Sequence, residues 1–247
     1  MLNNILILGC ARSGTSILGE FFEKSGLYTY LFEPTLPAHQ YELAFEHVQR
    51  PLAAKKPRAP IEHAASFTPG LAFDYSRLAA VFPRPWKIVW IVRNPLDAIC
   101  SLRPGIEMGW AHNPRPPGWR ELGTAKWHIK CAAHWQYINN EGFLAITGEA
   151  EVVRFEDLVL QPRATAEKLL QYCGWPDGVT RGVEGWISQV SNNKGNSYEA
   201  RLQDRWSENN HTRRVGRHRE NLDADQINDV LPLVEVAASR FGYTLTQ

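Results

Sequence analysis

The sequence predicts a three-layer α/β/α protein, with helices on both faces of a central parallel sheet of about five strands. Two nearly continuous apolar runs, Ile5 to Leu8 and Lys87 to Val92, are typical of strands buried on both faces of such a sheet. Each run leads through a turn into a helical segment, the alternation that builds parallel sheets. We therefore expect these two strands to be neighbours and residues 1–247 to form a single domain.

The composition excludes several classes of protein. Of the 247 residues, 44% are hydrophobic and 21% are charged, and the formal net charge is +1, so no overall attraction to nucleic acid or to an anionic membrane is expected. No apolar run approaches the roughly 20 residues of a membrane span, and no basic leader precedes the first strand. The four cysteines lack the paired spacing of zinc sites. We expect a cytoplasmic protein with reduced thiols and no metal.

The first strand leads into a loop bracketed by Gly9 and Gly14, and Ile17 to Lys24 then has the spacing of an amphipathic helix. Backbone N–H groups of such a loop and of the first helical turn converge on one point, where they bind anions. The two glycines have the separation of the P-loop motif, but Thr15 occupies the lysine position and Arg12 supplies a cation within the loop. An ordinary strand-to-helix turn rich in small residues is the alternative.

The run Arg12-Ser13-Gly14-Thr15-Ser16 resembles the first motif of the sulfotransferases that use 3'-phosphoadenosine-5'-phosphosulfate (PAPS). In that family a Lys or Arg precedes Ser-Gly-Thr, and a Thr or Ser follows. The resemblance implies a P-loop NTPase-like fold in which these five residues bind the cosubstrate. It also implies that Arg12, with the loop amides, is catalytic because it neutralises charge on the leaving phosphate oxygen.

A second motif follows the strand from Lys87 to Val92. Asn94 is a suitable cap and Pro95 a suitable first residue for the next helix. Arg93 at the strand end and Ser101, about two helical turns further on, could reach the same anion. The spacing resembles the 3'-phosphate motif of PAPS sulfotransferases, which implies that Arg93 and Ser101 bind that phosphate. A capped helix with an exposed arginine is the alternative.

A candidate general base follows the aromatic run from Tyr28 to Phe32, which predicts a strand beside the first and stopped by Pro34. Ligands of open parallel sheets collect at the carboxyl ends of the strands, so Glu33 would face the anion loop. Several carbohydrate sulfotransferases that the chain resembles have a Glu at such a place. Glu33 either takes a proton from the acceptor or turns the chain before Pro34.

Residues 34–84 give few signals, and we interpret them as a cover over the sheet. Lys55, Lys56 and Arg58 form a small basic cluster that is more typical of a solvated loop. His63 and Lys56 are weaker candidates for a catalytic role, with His63 as the second choice of base. Tyr75 to Val81 predicts a short helix.

Two stretches between residues 107 and 140 contain most of the remaining aromatic signals. Glu107 to Trp119 predicts a semi-rigid loop over the acceptor, although its tryptophans could equally pin the loop to the body. Ala125 to Asn140 predicts a core helix, with His128 and His134 on its flanks.

The segment Arg154-Phe155-Glu156-Asp157-Leu158 matches a further segment of the resembling family. It follows a strand through Val153 and precedes a helix predicted from Ala164 to Tyr172. We interpret Glu156 and Asp157 as structural.

Residues 188–221 are polar and basic, which predicts a mobile loop. Val215 to Leu222 resembles the late segment with which sulfotransferases close the 3' side of the cosubstrate, with His218 in place of the usual Trp. This likeness implies that Arg217 is a phosphate ligand, whereas Arg213 and Arg214 are expected to be solvated. Asp223 then caps a final helix reaching Phe241.

The resemblance implies transfer of a sulfuryl group from PAPS to a hydroxyl or amine of a small natural product or carbohydrate, leaving adenosine 3',5'-bisphosphate (PAP). Two other functions remain open: a P-loop kinase that uses Mg-ATP, and a nucleotide-binding module without catalysis. The oligomeric state is also open, with a homodimer as one option.

Overall fold

The computed structural model describes residues 2–34, 50–56, 85–109, 112, 114–146, 149–175, 177–191 and 211–245. In these residues a five-stranded sheet has the order β2-β3-β1-β4-β5, and every pair is parallel. The strands are β1 Asn4–Gly9, β2 Thr29–Phe32, β3 Leu52–Lys55, β4 Trp86–Val92 and β5 Ala150–Arg154. The predicted sheet is confirmed.

Eight α-helices follow or separate the strands in the described residues. They are α1 Thr15–Ser25, α2 Pro95–Glu107, α3 Trp127–Tyr137, α4 Phe155–Leu160, α5 Pro162–Cys173, α6 Arg181–Ser191, α7 His218–Asn221 and α8 Ala224–Arg240. Short 3-10 helices cover Glu121–Thr124 and Thr212–Arg214, and α3 continues into a π-helical turn, Ile138–Gly142. None of these described helices combines the length and the apolar character that crossing a bilayer requires.

The sheet separates two apolar cores. Alternate residues of β4 point to opposite faces, so that Trp90 packs with α2, α3 and α8, whereas Ile91 packs with α1, α5 and α6. Both side chains are buried, and the predicted three-layer architecture is confirmed.

The predicted pairing of the strands that end at Leu8 and Val92 is also confirmed, because β1 and β4 are hydrogen-bonded neighbours in which Gly9 lies opposite Ile91. A Cβ atom at Gly9 would lie 2.2 Å from the Ile91 carbonyl oxygen, and the φ of Gly9 is +143°. Only glycine therefore allows the anion loop to leave the sheet this close to β4.

The prediction that the second strand lies beside the first is wrong. β3 lies between them: Ile5 to Ile7 of β1 align with Ala53 to Lys55, and Thr29 to Phe32 of β2 align with Leu52 to Lys55. The apolar part of β3 is only three residues long, so its sequence periodicity is too short to distinguish a strand from a loop. His63 and the helix predicted from Tyr75 to Val81 lie outside the described residues.

Two histidines predicted on the flanks of α3 are instead buried. His128 Nε2 donates a 2.9 Å hydrogen bond to the carboxylate of Asp229 in α8, and His134 is fully enclosed. Burial, together with the nearby His112 and Lys56, holds the pKa of His134 well below its usual range. The four cysteines are buried free thiols, and burial raises the pKa of Cys10 to about 12.

The prediction of a mobile loop over residues 188–221 is wrong for its described parts. Residues 188–191 end α6, and residues 211–221, called here the late basic segment, form a 3-10 turn followed by α7. The predicted cap of the last helix is confirmed, because Asp223 accepts a 2.8 Å hydrogen bond from the Gln226 backbone N–H in a complete capping box.

Candidate anion-binding site

A cleft lies where the anion loop, the end of β4, α2 and the late basic segment meet. Five of the residues predicted to bind the cosubstrate line it: Arg12, Gly14, Thr15, Arg93 and Ser101. Ile17, Phe155 and Arg214 complete the described lining. The fold therefore brings the two separately predicted motifs to one place.

The anion loop has a backbone that few residues adopt. Arg12 has a φ of 65° and Gly14 a φ of 96°, both left-handed. A Cβ atom at Gly14 would lie 2.6 Å from the Phe155 ring, so glycine is needed both for its conformation and for its size. The N-cap residue of α1 is Gly14, which has no side chain to accept a hydrogen bond from the first turn, whereas Asn94 caps α2. The first N–H groups of α1 therefore have no side-chain acceptor from the N-cap residue, and they can bind an anion in the cleft that Gly14 and Thr15 line.

Arg12 connects the two motifs. Its side-chain Nε donates a 3.3 Å hydrogen bond to Ser101 Oγ, and its backbone carbonyl accepts a 3.3 Å hydrogen bond from Arg93 Nη1. The guanidinium of Arg12 is thereby placed next to Ser101, one of the residues expected to bind a second phosphate.

Arg93 is a buried cation, with only 2% of the residue exposed. Its guanidinium lies 4.5 Å from the centre of the Phe155 ring, and Nη2 donates to the Arg214 carbonyl. Nε is buried and has no hydrogen-bond partner within the described part of the chain. Burial lowers the pKa of Arg93 to about 10, with Arg217 and Arg214 adding to the effect and Asp97 and Glu156 opposing it. Arg93 is therefore charged at neutral pH and retains a donor for a ligand.

Asp97, in the first turn of α2, holds the late basic segment. Its two carboxylate oxygens accept hydrogen bonds from the backbone N–H of Gly216 at 2.7 Å and of His218 at 3.0 Å. His218 Nδ1 lies 2.7 Å from the same carboxylate. Burial alone would raise the pKa of Asp97, but the bonds from His218, the charge of Arg93 and the bond from Gly216 hold it below its usual value.

Lys55 is a site residue that the sequence analysis missed. It is 2% exposed at the carboxyl end of β3, and its Nζ donates a 2.6 Å hydrogen bond to Ser16 Oγ. Nζ also lies 3.6 Å from Glu33 Oε1 and 4.1 Å from the centre of the Phe32 ring. The prediction that this lysine is solvated is therefore wrong, because the chain before it is a central strand and not a loop. A short apolar run, Leu52 to Ala54, was the available signal.

Four further predicted residues that the structure describes are not among those that line the cleft: Ser13, Ser16, Glu33 and Arg217. Ser13 Oγ is fully buried and has no partner among the residues that the structure describes. Glu33 has a left-handed backbone, and its N–H donates to the Lys55 carbonyl at 3.0 Å. Arg217 is half-buried and near enough to Arg93 to lower its pKa. Arg214 lines the cleft, so its expected solvation is wrong, whereas Arg213 is exposed.

Glu156 has the structural contacts that the sequence analysis expected. One carboxylate oxygen accepts the Asn94 backbone N–H at 3.0 Å, and the other accepts the Tyr243 hydroxyl at 2.7 Å. Glu156 thus fixes the turn that follows Arg93 and ties it to the end of the chain.

Comparison with known proteins identifies this architecture. A model described as "Sulfotransferase family" matches residues 29–179, more than half of the chain. No curated protein sequence matches this chain significantly. The matched residues begin after the anion loop, so the resemblance of Arg12 to Ser16 to the first sulfotransferase motif is independent of this match.

Solved structures share the fold over 98% of this chain. The sulfotransferase domain of the Synechococcus PCC 7002 olefin synthase has a TM-score of 0.58 at 16% identity, with 95% of that domain covered. Mouse SULT7A1, solved with PAP, has a TM-score of 0.53 at 15% identity with 89% covered. Retinol dehydratase, solved with androsterone and the inactive cofactor PAP, has a TM-score of 0.50 at 12% identity with 82% covered. With its matched residues and its five-stranded parallel sheet, this chain belongs to the sulfotransferase family.

Proposed function

We propose that this sulfotransferase takes its sulfuryl group from PAPS and transfers it to a hydroxyl or amine of a small acceptor, leaving PAP. The observation that carries the proposal is the buried Arg93, whose Nε has no partner in the described residues and which lines one cleft with Arg12 and the loop at Gly14. PAPS has a phosphosulfate at its 5' position and a phosphate at its 3' position. The cleft offers one anion-binding element for each.

The 5' end fits the anion loop. The uncapped N-terminus of α1 and the loop before it provide backbone N–H groups and a favourable helix dipole. Arg12 adds a full positive charge, and Ser13 adds a buried hydroxyl that lacks a partner within the described ranges. An oxyanion bound there would accept several charge-assisted hydrogen bonds at once.

The 3' phosphate fits the wall formed by Arg93, Ser101 and the late basic segment. Arg214 and Arg217 bring two further guanidinium groups close to Arg93. Asp97 and Glu156 oppose the repulsion within this cluster, and a bound phosphate would add a further negative charge beside the three guanidinium groups. A ligand with a phosphate at this point therefore gains more affinity than one that ends at the 5' side.

Sulfuryl transfer requires alignment of donor and acceptor and neutralisation of charge on the leaving phosphate oxygen. In our proposal Arg12 and Lys55 supply that positive charge from two sides, because Lys55 reaches Ser16 at the start of α1. Removing one such preorganised donor typically lowers turnover by about a hundredfold to a thousandfold.

Glu33 is the proposed general base. Its side chain is 31% exposed at the carboxyl edge of the sheet, so an acceptor hydroxyl could reach it. The 3.6 Å distance to Lys55 supports a second role, in which Glu33 holds the ammonium group in place. The acceptor is proposed to be a small molecule, a class to which the androsterone in the retinol dehydratase structure belongs.

Ligand preference tests the donor. In thermal-shift and calorimetric titrations PAP should bind more tightly than ATP with magnesium, because only PAP has a 3' phosphate. Arg93→Ala should abolish this preference, whereas Arg103→Ala, an exposed arginine on the same helix α2 that pairs with Glu107, should retain it. A preference for Mg-ATP would favour the kinase instead. Transfer of labelled sulfate from PAPS to a panel of acceptors then separates an enzyme from a binding module.

A further inference from the structure

We propose that Asp97 is a positioning residue that fastens the late basic segment against the anion site before the donor arrives, with His218 as its side-chain partner. The inference deepens the proposed function and rests on it for the identity of the ligand. The contact itself is independent of any ligand, since it is present between α2 and residues 216–218 of this chain.

Asp97 is bonded unlike an ordinary acid in the first turn of a helix. Such acids usually lie near their own helix N-terminus at the surface. Asp97 is 1% exposed, and its carboxylate takes the N–H groups of Gly216 and His218 from a segment about 120 positions further along the chain. Both of its oxygens are used, and His218 Nδ1 gives a third contact.

Arg93 and Asp97 together hold the late basic segment at two places. Arg93 donates to the carbonyl of Arg214, and Asp97 accepts from the N–H of Gly216, two residues later. Both contacts come from the turn between β4 and α2, since Arg93 precedes the cap Asn94 and Asp97 lies in the first turn of α2. Arg214 and Arg217 thus lie in a segment whose main chain is bonded to Arg93 and Asp97.

The contact between Asp97 and residues 216–218 also affects the charges that surround the cleft. Arg93, Arg214 and Arg217 repel one another, and Asp97 is a buried negative charge among them. Fixing the cations in advance removes the cost of ordering them when the anionic donor binds. Loss of Asp97 should therefore weaken donor binding, whereas a fully bound donor can still react.

Hydrogen exchange in the ligand-free protein tests the fastening directly. In Asp97→Asn the amides of Gly216 and His218 should exchange at least about tenfold faster, because a bond from a charged acceptor is lost or weakened. The matched control is Asp225→Asn, an exposed acid in the first turn of α8, which should leave these rates unchanged. Equal rates in Asp97→Asn and wild type would overturn the proposal.

Ligand binding and turnover separate positioning from a general structural effect. Asp97→Asn should bind PAP about tenfold more weakly and raise the KM for PAPS by the same factor, with kcat at saturating PAPS within about twofold of wild type. Unchanged PAP affinity would overturn the positioning role. If wild type binds no PAP, the donor assignment fails, and hydrogen exchange still decides whether Asp97 fastens the segment.

His218 provides a second test that does not depend on the folding of Asp97→Asn. His218→Ala should speed amide exchange in the late basic segment and weaken PAP binding several-fold. His218→Asn should restore the wild-type exchange rate and PAP affinity, because the N–H of the asparagine amide can replace the Nδ1–H of histidine as a donor to Asp97. Failure of the asparagine to restore either property would exclude the side-chain contact as a cause. If the two groups act together, the fold loss of PAP affinity in the double variant Asp97→Asn with His218→Ala should be smaller than the product of the fold losses in the two single variants.

Discussion

Arg12 Nε lies 3.3 Å from Ser101 Oγ, a contact that joins the anion loop to α2 across 89 positions of sequence. Arg12 also accepts a hydrogen bond from Arg93 through its backbone carbonyl. The position and charge of the loop arginine are thus coupled to the wall on which we place the 3' phosphate. A change at Arg12 should affect chemistry more than binding, because the loop amides and Arg93 remain.

Arg12→Ala should lower kcat by about a hundredfold to a thousandfold, the usual effect of losing one preorganised donor at a developing oxyanion. PAP affinity, measured by calorimetry, should fall by a smaller factor. Arg163→Ala removes an exposed arginine of α5 and serves as the control. Normal turnover in Arg12→Ala would contradict the catalytic role.

Lys55→Met should remove activity without removing stability. Methionine fills a similar volume, and the Glu33 carboxylate that loses Lys55 is 31% exposed and can be hydrated, so the free energy of unfolding should change little. Turnover should fall by about a hundredfold, because the charge beside Ser16 is lost. Urea unfolding and steady-state kinetics check the two parts. Lys87→Met, at the β4 lysine that contacts Tyr172, controls for loss of a lysine, and wild-type turnover in Lys55→Met would exclude Lys55 from the chemistry.

Glu33→Gln should lower turnover by about a hundredfold to ten-thousandfold and leave PAP affinity nearly intact, because the amide keeps the shape and loses the proton acceptor. A decrease matching Lys55→Met in both kcat and PAP affinity would instead show that Glu33 acts through Lys55. An active Glu33→Gln with an inactive His63→Ala would transfer the role of base to His63. Kinetics with a single identified acceptor, over a range of pH, distinguish these outcomes.

Asp97 predicts a specific dependence of stability on pH. Its pKa lies below the usual value of about 4, so its bonds to Gly216 and His218 stabilise the fold above that pH and are lost as the pH falls through the lowered pKa. To remove the neighbouring imidazole, the free energies of unfolding of His218→Asn and of the double variant Asp97→Asn with His218→Asn are compared, and their difference should shrink below about pH 4. Urea unfolding at several pH values measures it, and a difference that grows on acidification would contradict the assignment.

Local signals in the sequence determined a large part of this protein. The run from Arg12 to Ser16 and the spacing of Arg93 and Ser101 predicted five residues that line the cleft, because loop geometry and helix caps depend on neighbouring residues. The capping box at Asp223 and the alternation of strands and helices were readable for the same reason. The roles of these residues toward a donor remain predictions.

The tertiary structure decided what depends on strand order and on distant contacts. Which strand lies beside β1 is set by packing across the whole sheet, and the four residues of β3 are too few for periodicity to show it. Only the fold places Lys55 at Ser16 and turns Asp97 toward Gly216, because each contact joins segments far apart in the chain. Sequence alone determined the anion loop and the Arg93 motif, whereas the sheet order and the docking of the late basic segment determined which further charges surround them.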